Sequence, residues 1–252
     1  MRQLWYSTLA VGLVLSAVAP IRADDAKEAR AILDKAIKAH GGADNLKKYQ
    51  GSVTNFKGTF LGMGMELPMS GELSISGPTR MKIAIDIDAG GQKLKIVNVI
   101  DGAKGWTKVG DAVTDMDKDA LAEASENLHA GWVSSLVPLI DAKGYTVAVT
   151  GEHAVGDKKA VGVKVSMKGK RDVDLDFDKE SGKLVKYDHQ VKDEGSGQEV
   201  LEETVYSEYK EYQGVQQPVK MATKRDGKPY LDFEVSDVTL SEKLDDGVFV
   251  KP

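Results

Sequence analysis

Cysteine is absent from all 252 residues. That excludes a disulfide framework, thiolate metal ligation, a cysteine nucleophile and a lipid anchor on an N-terminal cysteine. Histidine is scarce: His40, His129, His153 and His189 stand far apart, with no H-E-x-x-H pair on a helix face. There is no G-x-S-x-G elbow and no G-x-x-x-x-G-K phosphate loop. His189 falls on the apolar side of its strand beside Tyr187 and Val191 and reads as a structural or rim residue, because a metal site needs several converging ligands. No catalytic set, metal or cofactor is expected. No N-x-S/T sequon follows the first 23 residues, and there is no repeat, low-complexity tract or long linker to divide the chain.

The N-terminus carries a processing pattern: Arg2, an apolar stretch from Leu4 to Ala19, then small residues. A cut after Ala19 would place Pro20 beyond the scissile bond, so a cut after Ala23 is expected, leaving residues 24–252 as one domain. The stretch is too short for a lasting membrane span. Cleavage removes Arg2 and Arg22 and leaves 32 basic against 39 acidic residues, a net charge of −7. An acidic exported chain is a poor ligand for nucleic acid or anionic membrane surfaces. Export without cysteine or sequons points to a bacterial periplasm.

The rest is organised around a wall of strands from Arg171 to Leu240. Val173, Leu175 and Phe177 alternate with Asp172, Asp174, Asp176 and Asp178, which puts the apolar set on one face and the carboxylates on the other. After the turn at Lys179–Gly182, Val185, Tyr187, His189 and Val191 repeat the alternation. Asp226-Gly227 is a tight-hairpin signal near the end of this antiparallel meander. Upstream, Ala26–His40 is an amphipathic helix with Ala29, Ile32, Leu33, Ala36 and Ile37 on one stripe, ended by Gly41-Gly42. Met81, Ile83, Ile85 and Ile87 form the cleanest amphipathic strand. Between Asp117 and Ala142 the apolar period turns helical, and Gly131 and Pro138 there predict two short helices or one kinked one. The reading is mainly β with α: about eleven antiparallel strands in one strongly curved sheet, with the N-terminal helix and a middle helical lid to cover its apolar face.

Two patterns bear on binding. The acidic row from Asp172 to Glu180 lacks the glycine and closing glutamate of a calcium loop and reads as a wet strand face. Met63, Met65 and Met69 cluster in a glycine-rich connection with Met81 just beyond. Flexible, polarizable methionines suit surfaces that accept varied apolar partners, although they also fill gaps in ordinary cores. Trp132 and Leu136 share that ambiguity.

The element order resembles the LolA/LolB lipoprotein-localisation fold. Gly41-Gly42-Ala43-Asp44-Asn45-Leu46 resembles the opening of outer-membrane lipoprotein-sorting proteins. So do Leu175-Asp176-Phe177-Asp178-Lys179-Glu180-Ser181-Gly182-Lys183-Leu184-Val185, Gly214-Val215-Gln216-Gln217-Pro218 and the ending Leu244-Asp245-Asp246-Gly247-Val248-Phe249. The resemblance implies an unclosed β-barrel with a helical lid over an apolar cavity, and a soluble, non-catalytic periplasmic carrier. Its partners would be lipoprotein acyl chains or another lipid, together with inner- and outer-membrane sorting proteins. It also implies an arginine that bonds the lid shut, with Arg80 and Arg171 as candidates. The expected ligand-binding set is Met63, Met65, Met69, Met81, Ile83, Ile85, Trp132 and Leu136. Two other readings stay open. One is an envelope scaffold or sensor whose core is filled by its own side chains. The other is a hydrolase, which would need His153 or His189 to meet a carboxylate and a hydroxyl.

Overall fold

The computed structural model describes residues 23–193 and 195–252; residues 1–22, with nearly all of the expected signal segment, and Glu194 lie outside the described residues. Two helices come first, α1 (Ala23–Ala39) and α2 (Ala43–Lys48). Six strands follow: β1 (Gly51–Phe60), β2 (Leu67–Ser76), β3 (Arg80–Ala89), β4 (Gln92–Asp101), β5 (Lys104–Val109) and β6 (Ala112–Asp115). Helix α3 (Lys118–Ser134) then leads to β7 (Tyr145–Val155), β8 (Lys158–Met167), β9 (Val173–Asp178) and β10 (Leu184–Lys192). The series closes with β11 (Glu199–Tyr212), β12 (Val215–Arg225) and β13 (Lys228–Ser241).

All thirteen strands form one antiparallel sheet in the order β6-β5-β4-β3-β2-β1-β13-β12-β11-β10-β9-β8-β7. Every neighbour is a sequence neighbour except β1 with β13, which joins the two meanders. Strands β6 and β7 are the two free edges, so the curved sheet does not close, and α3 is the connection that leads from one edge to the other. The count exceeds the expected eleven partly because β6, four residues after the Gly110 turn, is too short to show a period. Helix α3 also runs straight through Gly131, so the interruption falls later. It comes at Leu136, in the left-handed region at φ 65°, before the 3-10 turn Val137–Leu139 that holds Pro138.

One face, here the inner face, carries α1. Ala29, Leu33, Ala36 and Ile37 pack into a buried cluster with Val163, Val165, Val173, Leu175 and Phe177 of β8 and β9, and with Val235, Val238 and Leu240 of β13. Gly41 ends α1 at φ 116°, and a Cβ there would sit 2.2 Å from the Gly214 carbonyl oxygen. Only glycine allows that approach, which brings the Gln216 amide to the His40 carbonyl at 3.1 Å. The opposite face of β1–β5 is covered by the C-terminal segment. Leu244 and Phe249 pack on Val97 and Val99, and Arg80 donates to Asp246 at 2.6 Å while lying over the Phe249 ring.

Leu33 sits fully buried at the centre of the α1 contact. Leu33→Ala should cost about 2–5 kcal/mol in urea unfolding, from lost burial and the cavity left behind.

Candidate functional site

Directly opposed residues on antiparallel strands share a face, so the register traces the inner face from β13 to β5. Val235, Phe56, Gly71, Ile85, Ile96 and Val109 lie in one row. Val238, Thr54, Leu73, Ile83 and Asn98 form the next, and Leu240, Ser52, Ile75, Met81 and Ile100 a third. At the other end Phe233, Gly58, Met69, Ile87 and Leu94 form a fourth. The β13 members belong to the core under α1, yet Ile83, Ile85, Ile87 and Ile96 are only half-buried. Leu94 and Val109 are 41% and 43% exposed. An apolar strip several residues long therefore lies on the inner face of β2–β5 without a helix over it.

Beside this strip is a cavity of about 440 Å³ at the seam between the two halves of the sheet. Its walls are Ile100 of β4, Leu128 and Trp132 of α3, Pro138, Tyr145 of β7 and Met167 of β8. Ile100 is also the register partner of Met81, so the cavity and the strip share a border.

Helix α3 is held over the seam by both burial and charge: Ala130 and Val133 join the core shared with α1, and ion pairs tie its outer side. Arg171 Nη1 donates to both Glu123 carboxylate oxygens at 2.8 Å, and Glu123 also accepts from the Lys192 amide. Glu126 accepts from Lys170 Nζ at 2.8 Å and from the Arg171 amide at 2.9 Å. Burial would raise the Glu123 pKa, but its bonds to Arg171 and Lys192 hold it below the usual glutamate value. A second tie joins the helices: Arg30 Nη1 of α1 donates to the Leu139 carbonyl at 2.6 Å, with Asp34 holding the same guanidinium. Of the two arginines anticipated as lid latches, Arg171 bonds α3, whereas Arg80 bonds the C-terminal segment on the other face.

Two buried histidines sit where α3 meets the sheet, His129 on α3 itself and His189 on β10. His189 reaches Asn127 at 3.4 Å through Nε2, and its Nδ1 is buried without a hydrogen-bond partner. His129 stacks on Tyr145 with ring centroids 5.9 Å apart. Burial lowers the pKa of both. Around His129, Lys170 and His189 add to the shift and Glu126 opposes it; around His189, Glu202, Glu123 and Asp188 oppose and Arg171 adds.

The expected binding residues separate into groups. Met69, Met81, Ile83 and Ile85 share the inner face of β2 and β3, and Trp132 lines the adjoining cavity. Met65 is exposed just past the 3-10 turn Gly62–Gly64. Met63 belongs to that turn, and its side chain lies outside the described residues. Leu136 is fully buried in the main core with α1 and lines no part of the cavity. Sequence reasoning left Ile87, Leu94, Ile96 and Val109 out of the set; the first three are visible in the alternation, but not their exposure.

The acidic row does face away from α1, yet Asp176 is only 4% exposed. It meets Lys186 at 3.3 Å and His153 Nε2 at 3.0 Å. The Thr150 hydroxyl lies near the same point, since a Cβ on Gly162 would meet Thr150 Oγ1, Asp176 Oδ1 and the His153 ring together, but among the described residues it makes no hydrogen bond to His153. No group of three or more potential metal ligands occurs among the described residues. A groove of about 610 Å³ over β1, β2 and β11–β13 adjoins the far end of the strip: Gly58, Met69, Met221 and Phe233 line it, and Lys57, Lys220, Asp232 and Glu234 edge it with charge.

The architecture is that of the LolA-like unclosed barrel, and solved structures agree. The fold is similar to a domain assigned to outer membrane lipoprotein sorting from Vibrio parahaemolyticus, at TM-score 0.56 and 12% identity, covering 90% of this chain and 97% of that one. It is also similar to a DUF1329 family protein from Desulfovibrio piger at TM-score 0.57 and 15% identity, covering 88% and 97%. A LolA superfamily protein from Nitrosomonas europaea aligns at TM-score 0.54 and 13% identity, again covering 88% and 97%. No protein-family model and no curated protein matches the sequence significantly.

Arg171→Ala would leave Glu123 without its main partner. It should weaken the α3 contact by about 1–3 kcal/mol, seen as faster amide hydrogen exchange confined to Lys118–Ser134. The histidines set a pH dependence. Each has a folded pKa below the ordinary 6.5, so the unfolded chain binds more protons as pH drops past that value. Their contribution is complete above pH 6.5 and is lost as pH falls towards the folded values; Glu123 adds a further loss below its ordinary 4.5. The melting temperature should fall between pH 7 and 5, and His129→Gln with His189→Gln should lessen that slope, leaving the share of His40, whose burial also lowers its pKa.

Proposed function

We propose that this protein is a non-catalytic carrier that holds acyl chains against the apolar strip of β2–β5 and in the cavity under α3. The observation that supports it most is the strip itself. A contiguous apolar surface left without a cover marks a binding site in proteins of this kind, and a cavity with apolar walls and a few polar groups adjoins it. Met69 and Met81 lend it tolerance of varied chain shapes. The chain would act in a periplasm after removal of its signal segment. Among the described residues no helix is long and apolar enough to cross a membrane. The fold shared with a lipoprotein-sorting domain makes lipoprotein acyl chains the first cargo to test, delivered between inner- and outer-membrane partners.

The filled-core reading describes the other half of the molecule. From β7 to β13 the inner face is packed by α1, with Leu136 sealing one side. A scaffold would need the strip of β2–β5 filled as well, and there Leu94 and Val109 stay exposed.

The test is organic extraction of protein purified from the cell envelope, followed by titration with a fluorescent acyl probe. Co-purifying lipid and saturable binding are expected, and Ile85→Glu should weaken binding at least about tenfold by placing a charge in the strip. Absence of both lipid and probe binding would sink the carrier reading.

A further inference from the structure

The walls of the seam cavity are apolar, but one corner of it is not. His129 is 7% exposed, lines the cavity, and takes no hydrogen bond through either ring nitrogen among the described residues. An imidazole that faces a cavity with both ring nitrogens unbonded has a donor to offer there. Its ring lies parallel to Tyr145, whose hydroxyl also goes unbonded among the described residues and whose side chain lines the same space. Lys143, at the rim, pairs with no acid among the described residues. The remaining charges at this corner are already engaged: Lys170 with Glu126 at 2.8 Å and Asp141 with Lys47 at 3.0 Å. The unspent groups are therefore donors: an N–H, an O–H and an ammonium.

From this corner the apolar surface continues in one direction. Ile100 borders the cavity, Met81 lies opposite it, and Ile83, Ile85 and Ile87 follow along β3. Six residues of strand span about 20 Å, the scale of one long acyl chain. We infer that the site takes a single-chain amphiphile with an anionic head, a carboxylate or a phosphate. The head accepts hydrogen bonds from His129 and Tyr145 and lies near the Lys143 ammonium, and the tail runs over Ile100 and Met81 along β3. Charge-assisted bonds of this kind are stronger than neutral ones, so an anionic head binds better than a neutral head of equal chain length. The inference rests on the carrier reading and adds the identity of the head.

The experiment is calorimetric titration of the full chain with palmitate, hexadecyl phosphate and hexadecanol, each below its aggregation limit. One or both anions should bind about tenfold or more tightly than the alcohol, and which one leads tells carboxylate from phosphate. His129→Ala and, separately, the exposed Lys143→Ala should shrink that preference to within about threefold, with anion affinity falling much more than hexadecanol affinity. Lys143→Ala keeps the test sound should His129→Ala lose stability. In NMR the His129 ring protons should shift on adding palmitate and not on adding hexadecanol. Equal affinity for all three ligands overturns the anionic head and leaves the carrier reading standing. Binding of none overturns both. A preference that survives both substitutions overturns the assignment to this corner.

Discussion

A sheet of thirteen strands presents more inner surface than one helix can cover, and the molecule follows from that shortage. Helix α1 has 17 residues, a rod of about 25 Å. It is committed to the half running from β7 to β13, where Ala29 and Ala36 let it sit close. Backbone hydrogen bonds fix neighbouring strands about 4.8 Å apart, so the other half cannot fold down to bury its own face. Side chains of isoleucine size on a curved wall reach partway into the space and stop. The strip of β2–β5 stays half-exposed because, among the described residues, α1 is spent on the other half and α3 reaches only as far as the cavity beside Ile100.

The outer face shows the opposite outcome. Val97 and Val99 point away from α1 and are nonetheless among the most buried residues of β4, because the C-terminal segment lies over them and Arg80 clamps it through Asp246 and the Phe249 ring. Strand β4 is thus better buried on its outer side than on its inner side. Helix α3 completes the arrangement as a different kind of cover. Its hold on the sheet runs through Glu123, Glu126, Lys170 and Arg171, all partly accessible to solvent. Beneath these ties α3 also gives Ala130 and Val133 to the core it shares with α1, so its hold joins exchangeable ion pairs to hydrophobic burial.

Much of this was legible in the chain. The period of two along Val173–Phe177 and Met81–Ile87, the helical stripe of Ala29–Ile37 and the Gly41-Gly42 stop each report local geometry, and each is found as read. What escaped depends on contacts far apart in sequence. Periodicity places Ile83 and Ile85 on the face that carries the core, and it cannot say that α1 runs out before reaching them. Met65 looked like part of one methionine surface, but it follows the 3-10 turn while Met69 enters β2. Leu136 carries the helical spacing of Trp132, yet the left-handed turn at Leu136 itself swings it into the core and leaves Trp132 at the cavity. Arg80 and Arg171 were lid candidates only through the family resemblance, and nothing local marks Glu123 and Glu126 as the partners of the segment around Arg171. Asp176 misled for the converse reason, because Lys186 of the adjacent β10 and His153 of β7, two strands away, enclose it.

The half-exposure of the strip also bears on what kind of binding it supports. Each methylene fully removed from water contributes about 0.8 kcal/mol, so a chain of about fourteen, completely enclosed, would gain about 11 kcal/mol and release slowly. A chain laid along Met81, Ile83, Ile85 and Ile87 keeps one side towards solvent unless α3 or a partner closes over it, and gains roughly half as much. Binding in that range is reversible, which a carrier requires and a storage site does not. The residual apolar area also gives a receiving partner something to cover, so transfer can proceed by the partner enclosing the exposed side before the strip lets go. In the proposed carrier, the incomplete cover is what would let the site both take up an acyl chain and give it back.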